Sequence, residues 1–409
     1  MAPGPRACCV LPPFWHGCEA GFALERAAGV SRNDPTCDAY AGRPGFAPSS
    51  AERARIWEGA LRASALLVGF LFLLLASESR AEEPARRKAE TILVDSAPGH
   101  AFTLLLPVGP GGGALIVAAS AKAAMGVATL AARRGMTIAY ADGVGAEILG
   151  RLATSLRKQG LRPVLGYGAG AGADALGAAR GFDGRLLLGG GFSPTTFGKA
   201  IVVSGPDAYW RGLGRGAETI AESKEIRRFY LPGVVALPAG EACAAPLNPL
   251  SPDPALRALL AALTEWAGRE TAPPASRYPK TLAPTHVWPR LPAPPPLDRP
   301  APAIDSDGNE TEGLRLPEVA LPIATLTGWN VAKPTGGGTC LQGAAFAFAA
   351  TKVEREKIGD GRLSLTERYG SRAYFVAAMR SVADRLVKDR LLLPEDADAS
   401  VARAKTAPF

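Results

Sequence analysis

Histidine is the scarcest chemistry-bearing residue in this chain, with three in 409 residues, at His16, His100 and His286. Imidazole is the side chain most often used for general acid–base work at neutral pH, so such catalysis by histidine is confined to very few places. Cysteine is also sparse, six in all, and four of them (Cys8, Cys9, Cys18 and Cys37) crowd the N-terminal stretch. Their spacing, even with His16, matches no paired zinc-ligand pattern, and no metal is expected. The net charge is +8, yet no basic cluster is longer than Arg86-Arg87-Lys88 and no aromatic residues interleave with one. Nucleic-acid binding needs a concentrated basic face, so no nucleic-acid partner is expected and the charge reads as a solvated surface. Long apolar runs are missing, with one exception at residues 65–76.

That exception has the form of a signal peptide. Arg53, Arg55 and Arg62 precede an apolar core of about 12 residues, too short to cross a bilayer comfortably as a helix. Ser79-Arg80-Ala81 then offers small residues at the −3 and −1 positions of a cleavage site. Residues 53–81 are therefore expected to direct export to the periplasm or medium, with membrane contact only if the segment stays uncleaved. Residues 1–52, rich in Pro, Gly and Ala without periodicity, remain an unassigned extension. After cleavage only Cys243 and Cys340 are left, and an oxidising compartment makes a disulfide between them plausible beside two buried thiols.

Downstream, apolar segments alternate in kind. Strands are expected at 91–94, 101–106, 114–118, 136–140, 163–166, 185–188, 200–204 and 229–235, and helices at 121–134, 146–159 and 255–266. Such alternation predicts an α/β fold, a mainly parallel sheet flanked by helices, over residues 82–271. Active sites in such sheets lie at the carboxyl ends of the strands. Eleven prolines between Ala272 and Ala303 exclude a regular helix or central strand. Residues 272–313 thus read as a proline-rich arm, which Val287 and Trp288 are expected to pack. Order returns in a helical segment at 314–409, where Ser364 and Glu367 form a capping box.

The stretch Leu161–Phe192 organises the whole. It reads as strand, Gly/Ala turn, small-residue helix and strand, the setting of a nucleophile elbow, where G-x-S-x-G raises a serine above the sheet. The pentapeptide taken for the elbow is Gly166-Tyr167-Gly168-Ala169-Gly170, with no serine at its centre. The same glycines do not match G-x-G-x-x-G cleanly and no P-loop Lys-Ser/Thr follows, so no nucleotide cofactor is expected.

Three motifs of the last third carry a resemblance: Leu314-Arg315-Leu316-Pro317-Glu318-Val319-Ala320-Leu321-Pro322 with Thr327-Gly328-Trp329-Asn330, then Leu365-Thr366-Glu367-Arg368-Tyr369-Gly370-Ser371-Arg372, and Leu391-Leu392-Leu393-Pro394-Glu395-Asp396-Ala397. They resemble a family of exported bacterial proteins, the alpha/beta hydrolase domain family, whose members look like serine hydrolases. The likeness is strongest over residues 245–405. It implies a serine where Gly168 stands and a histidine where Ala236 stands, so both catalytic positions read as vacated.

Substitutes are few. Ser193, in the loop after the strand ending at Leu188, is the first candidate nucleophile; Asp142 and Asp207 follow strands and offer acids. His100 and His286 are the remaining histidines and read as surface or structural. Two functions follow: a degenerate hydrolase binding a small-molecule ligand or protein partner in the old cleft, or an active ester or amide hydrolase built on Ser193.

Overall fold

Short aliphatic runs closed by glycine, proline or serine become the strands. The computed structural model describes residues 88–93, 101–107, 112–190, 198–210, 220–235, 243–284, 286–292, 300–333, 340 and 342–409. All lie in the second of the two units into which the chain divides, Met1–Glu82 and Glu83–Phe409. Strands β1 (Lys88–Leu93), β2 (Ala101–Leu106), β3 (Ala114–Ala118), β4 (Thr137–Tyr140), β5 (Val164–Ala169), β6 (Gly184–Leu188), β7 (Ala200–Ser204) and β8 (Ile226–Tyr230) form one sheet. Its order is β1-β2-β4-β3-β5-β6-β7-β8. β2 runs antiparallel to β1 and β4, and the six strands β3 to β8 are parallel to one another. The architecture is the expected mainly parallel sheet.

Helices α1 (Ala121–Arg133), α2 (Ala146–Lys158), α3 (Ala171–Ala178), α4 (Asp207–Trp210) and α5 (Asp253–Arg269) follow in chain order. Alternation along the strands sorts the layers. Leu115 and Val117 of β3 pack with α1 and α5, while Ala114, Ile116 and Ala118 pack with α2 and α3 on the other face. Both faces are covered, which is why β3 reads as one unbroken apolar run. Gly166 and Gly168 let α3 lie directly on β5. A Cβ at Gly166 would sit 2.6 Å from the Leu176 side chain, and one at Gly168 would sit 2.6 Å from the Gly172 carbonyl oxygen.

The charge inside β6 is explained by the same helix. Arg185 is buried, its Nε donating to Leu176 O (3.1 Å) and its Nη2 to Ala179 O (2.6 Å). A cation is thereby fixed on the carbonyl end of α3, the negative pole of the helix. Burial pulls its pKa down to about 10, against the opposing pull of Asp183, so the guanidinium stays charged at neutral pH.

Three strand expectations shift. β1 is Lys88–Leu93 and not 91–94, its register set by pairing with β2. β5 runs to Ala169 rather than stopping at Gly166, because β3 and β6 pair with it as far as Gly168 and Ala169. β8 is Ile226–Tyr230 and not 229–235; Leu231-Pro232-Gly233 turns instead, with Gly233 at φ 64°.

In the rest of the chain β9 (Leu282–Ala283) pairs antiparallel with β10 (Ala301–Pro302), α6 (Pro317–Ala320) follows, and β11 (Ala324–Leu326) pairs antiparallel with β12 (Ala345–Ala347). Helices α7 (Lys352–Ile358), α8 (Leu365–Tyr369), α9 (Arg372–Lys388) and α10 (Pro394–Ala404) complete it. Leu314, Leu316, Leu326, Leu386 and Leu392 join the same apolar cluster as α1 and α5. Arg257 of α5 donates to Asp396 of α10 at 3.0 Å. Cys243 and Cys340 are disulfide-bonded, with Cα atoms 4.9 Å apart. In the arm Trp288 packs against Trp210 and Trp329, whereas Val287, expected to pack, is 92% exposed. Among the described residues no helix is long and apolar enough to cross a membrane.

Candidate functional site

Strand order fixes where a site can lie. β3 has β4 on one side and β5 on the other, so the order reverses there, and the carboxyl ends of β3 and β5 are the position at which open α/β sheets bind their ligands. Ala118 pairs with Gly168, and β5 extends one residue further before the chain turns into α3. The turn is made at Gly170, with φ 56° and ψ −126°. That conformation is open to glycine and strained for other residues.

The elbow therefore falls two residues later than the sequence suggested. Gly168, expected at the nucleophile position, is inside β5 beneath α3, where no side chain fits. The elbow pentapeptide is Gly168-Ala169-Gly170-Ala171-Gly172, and Gly170 is its tip. Gly172 is required by contact: a Cβ there would lie 1.7 Å from Ala118 O. Gly170 N donates to Leu188 O at 2.9 Å and Gly170 O accepts from Ala173 N at 3.0 Å, so the tip is tied to β6 and to its own helix. Packing accounts for the outer two glycines. The central position carries no side chain.

The groups nearby are few. Ser120 follows β3 and caps α1, its Oγ accepting from Ala123 N at 3.3 Å. Asp142 follows β4 and is exposed. Asp207 opens α4 after β7. β4 and β7, the strands these two acids follow, are four strand spacings apart in the sheet, about 19 Å. His286 Nε2 donates to Pro302 O at 2.8 Å, and the ring lies 5.8 Å from that of Trp288. A carbonyl only accepts, so Nε2 carries the hydrogen, and this histidine is engaged with the arm. Ser193, Ala236 and His100 lie outside the described residues. Among the described residues no group of His, Cys, Asp and Glu has a metal-binding arrangement.

The sequence reading missed one buried carboxylate. Glu310 is 7% exposed and accepts from Tyr230 Oη (2.7 Å) and from Gly233 N (3.1 Å). Asn248 Nδ2 donates to Gly233 O at 2.6 Å, and Leu231 N donates to Ser204 O at 2.9 Å. The turn after β8, where a fold of this kind hangs its base, is thus bound from both sides. No local pattern marked Glu310, because its partners lie about 80 residues away in sequence.

The family model described as "Alpha/beta hydrolase domain" matches residues 213–402. Those residues carry an alpha/beta hydrolase domain. The resemblance read from the motifs stands over that span, and the eight-stranded sheet has the architecture of the fold. The elbow at 168–172 precedes the matched region. Among solved structures, the chain is similar to the esterase domain of a Rhodothermus marinus protein. Identity is 16%, covering 30% of this chain and 76% of that one, with a TM-score of 0.25. It is also similar to an esterase of Pyrobaculum calidifontis at 12% identity, covering 45% and 89%, with a TM-score of 0.26. A putative thioesterase from Silicibacter sp. shares 13% identity over 41% and 79%, with a TM-score of 0.23. No curated protein matches the chain.

Proposed function

We propose that this is an exported protein on a hydrolase scaffold whose elbow has lost its nucleophile, and which holds a ligand or a protein partner at the carboxyl ends of β3 and β5. One observation carries the reading: the tip of the strand-to-helix turn is Gly170, at φ 56° and ψ −126°. Glycine has no side-chain atom to deprotonate or acylate, so covalent catalysis from that point is excluded. The tied turn after β8 and the engaged His286 agree with a site that no longer moves protons.

Export rests on the sequence of residues 53–81, and the Cys243–Cys340 disulfide supports an oxidising destination. Mass spectrometry of the protein recovered outside the cytoplasm should give a chain beginning at Glu82. A chain retaining residues before Ala81 would remove the cleavage step.

The catalytic half is tested with p-nitrophenyl acetate and butyrate. The purified protein should hydrolyse neither faster than buffer. Saturable hydrolysis that disappears in Ser193→Ala would replace this reading with that of an active hydrolase using Ser193.

A further inference from the structure

A second concavity lies in the proline-rich arm, apart from the elbow. β9 and β10 pair, and Ala303 N extends the pairing to Thr281 O at 3.2 Å. Trp288 leans on the aromatic pair behind it, 5.3 Å from the Trp329 ring at 88° and 6.2 Å from Trp210. Between these strands and the following turn is a cavity of about 490 Å³, lined by His286, Val287, Trp288, Ile304, Asp305 and Ser306 among others. Small-molecule sites are typically of this size, mostly apolar with a few placed polar groups.

The polar groups here have one sign. Asp305 heads the turn Asp305-Ser306-Asp307-Gly308-Asn309, and its Oδ1 accepts from Asp307 N (3.0 Å) and Asn309 N (2.9 Å). Asp307, two residues on, is neutralised by Arg368 at 2.8 Å. Asp305 has no cation partner among the described residues, and none of the residues lining the cavity is Lys or Arg, in a chain whose net charge is +8. His286 uses Nε2–H on Pro302 O, which leaves Nδ1 as an acceptor. Val287 stands 92% exposed beside Trp288, an apolar side chain that the fold does not use.

A half-buried carboxylate with no cation partner among the described residues, next to a tryptophan and two β-branched side chains, suits one ligand chemistry. We propose that this cavity binds a small organic ammonium ion, its charge held at Asp305 and its apolar body laid against Trp288, Val287 and Ile304. Tryptophan is the best aromatic partner for a cation, and a charged donor on a carboxylate makes the stronger class of hydrogen bond. None of the lining residues belongs to the elbow, so this site stands or falls separately from esterolysis.

The test is calorimetric titration of the purified protein with phenethylammonium, with phenethyl alcohol as its neutral counterpart. Saturable one-to-one binding of the ammonium, with the alcohol about tenfold weaker or worse, is expected. Asp305→Asn keeps the oxygen that accepts from the two turn amides, and an unchanged thermal midpoint shows that the turn has survived. In that variant the ammonium should bind no better than the alcohol. The site is overturned if the native protein takes up no ammonium at millimolar concentration. It is equally overturned if the alcohol binds as well as the ammonium, or if Asp305→Asn binds the ammonium as tightly as the native chain.

Discussion

The β5–α3 elbow and the segment from residue 300 to 369 are built from opposite materials. The elbow is glycine and alanine, held by backbone bonds and by contacts so close that a methyl group would not fit. The later segment is held by buried polar side chains. Arg362 donates to Asp360, to Thr325 Oγ1 (2.8 Å) and to Phe346 O (2.8 Å); Asn309 bridges Ala324 O and Leu326 N; and Glu310 bridges Tyr230 and Gly233. The family match covers the second region and not the first. The likeness to the hydrolase domain therefore lies in the polar-bonded region and not in the glycine-built elbow.

The comparison can be broken first at Gly172. Gly172→Val drives Cβ into the Ala118 carbonyl and should cost about 3 kcal/mol or more, read as loss of soluble folded protein or a collapsed thermal midpoint. Gly268→Ala is the control on α5, where an added Cβ meets nothing within 4 Å; it should stabilise by about 0.5–1 kcal/mol.

Arg362→Met tests the polar region. It strands Asp360 in a buried site, and breaking such a pair costs about 3–5 kcal/mol. The Asp360 carboxyl is pushed up by burial, but the hydrogen bonds and charge of Arg362 outweigh this and hold it below its usual range. A depressed folded pKa means stability present above about pH 3.9 and lost as pH falls through the folded value. Native protein should lose stability on acidification below about pH 4, and Arg362→Met should show a shallower acid limb in urea titrations.

The smallest effect belongs to the α8 cap. Hydrogen bonds from Ser364 and then Arg355 pull Glu367 down to about 2. Its contribution is present above about pH 4.3 and disappears as the pH falls towards about 2. Glu367→Gln should flatten that part of the unfolding curve and leave stability at pH 7 close to native.

The strands β2, β3 and β7 were legible to the residue, because each is an apolar run closed by a turn former. The end of β5 was not. Gly166-Tyr167-Gly168-Ala169 has no apolar alternation to mark a strand, and pairing with β3 and β6 decides its length. That three-residue difference moved the elbow from Gly168 to Gly170. The aromatic content of 229–235 suggested a strand that Pro232, lacking an N–H, and Gly233, at positive φ, turn aside. The capping box at Ser364 and Glu367 shows the converse: where the signal is local, the structure follows it. The roles of Glu310, Arg185 and Asp305 depend on partners that only the folded chain brings together.

The most direct measurement is the intact mass of the purified protein after treatment with a fluorophosphonate that phosphonylates activated serines. An unchanged mass is expected, because the elbow tip has no hydroxyl. A single stoichiometric adduct, traced by peptide mapping to any serine and absent after heat denaturation, would contradict the vacated elbow as the basis of function.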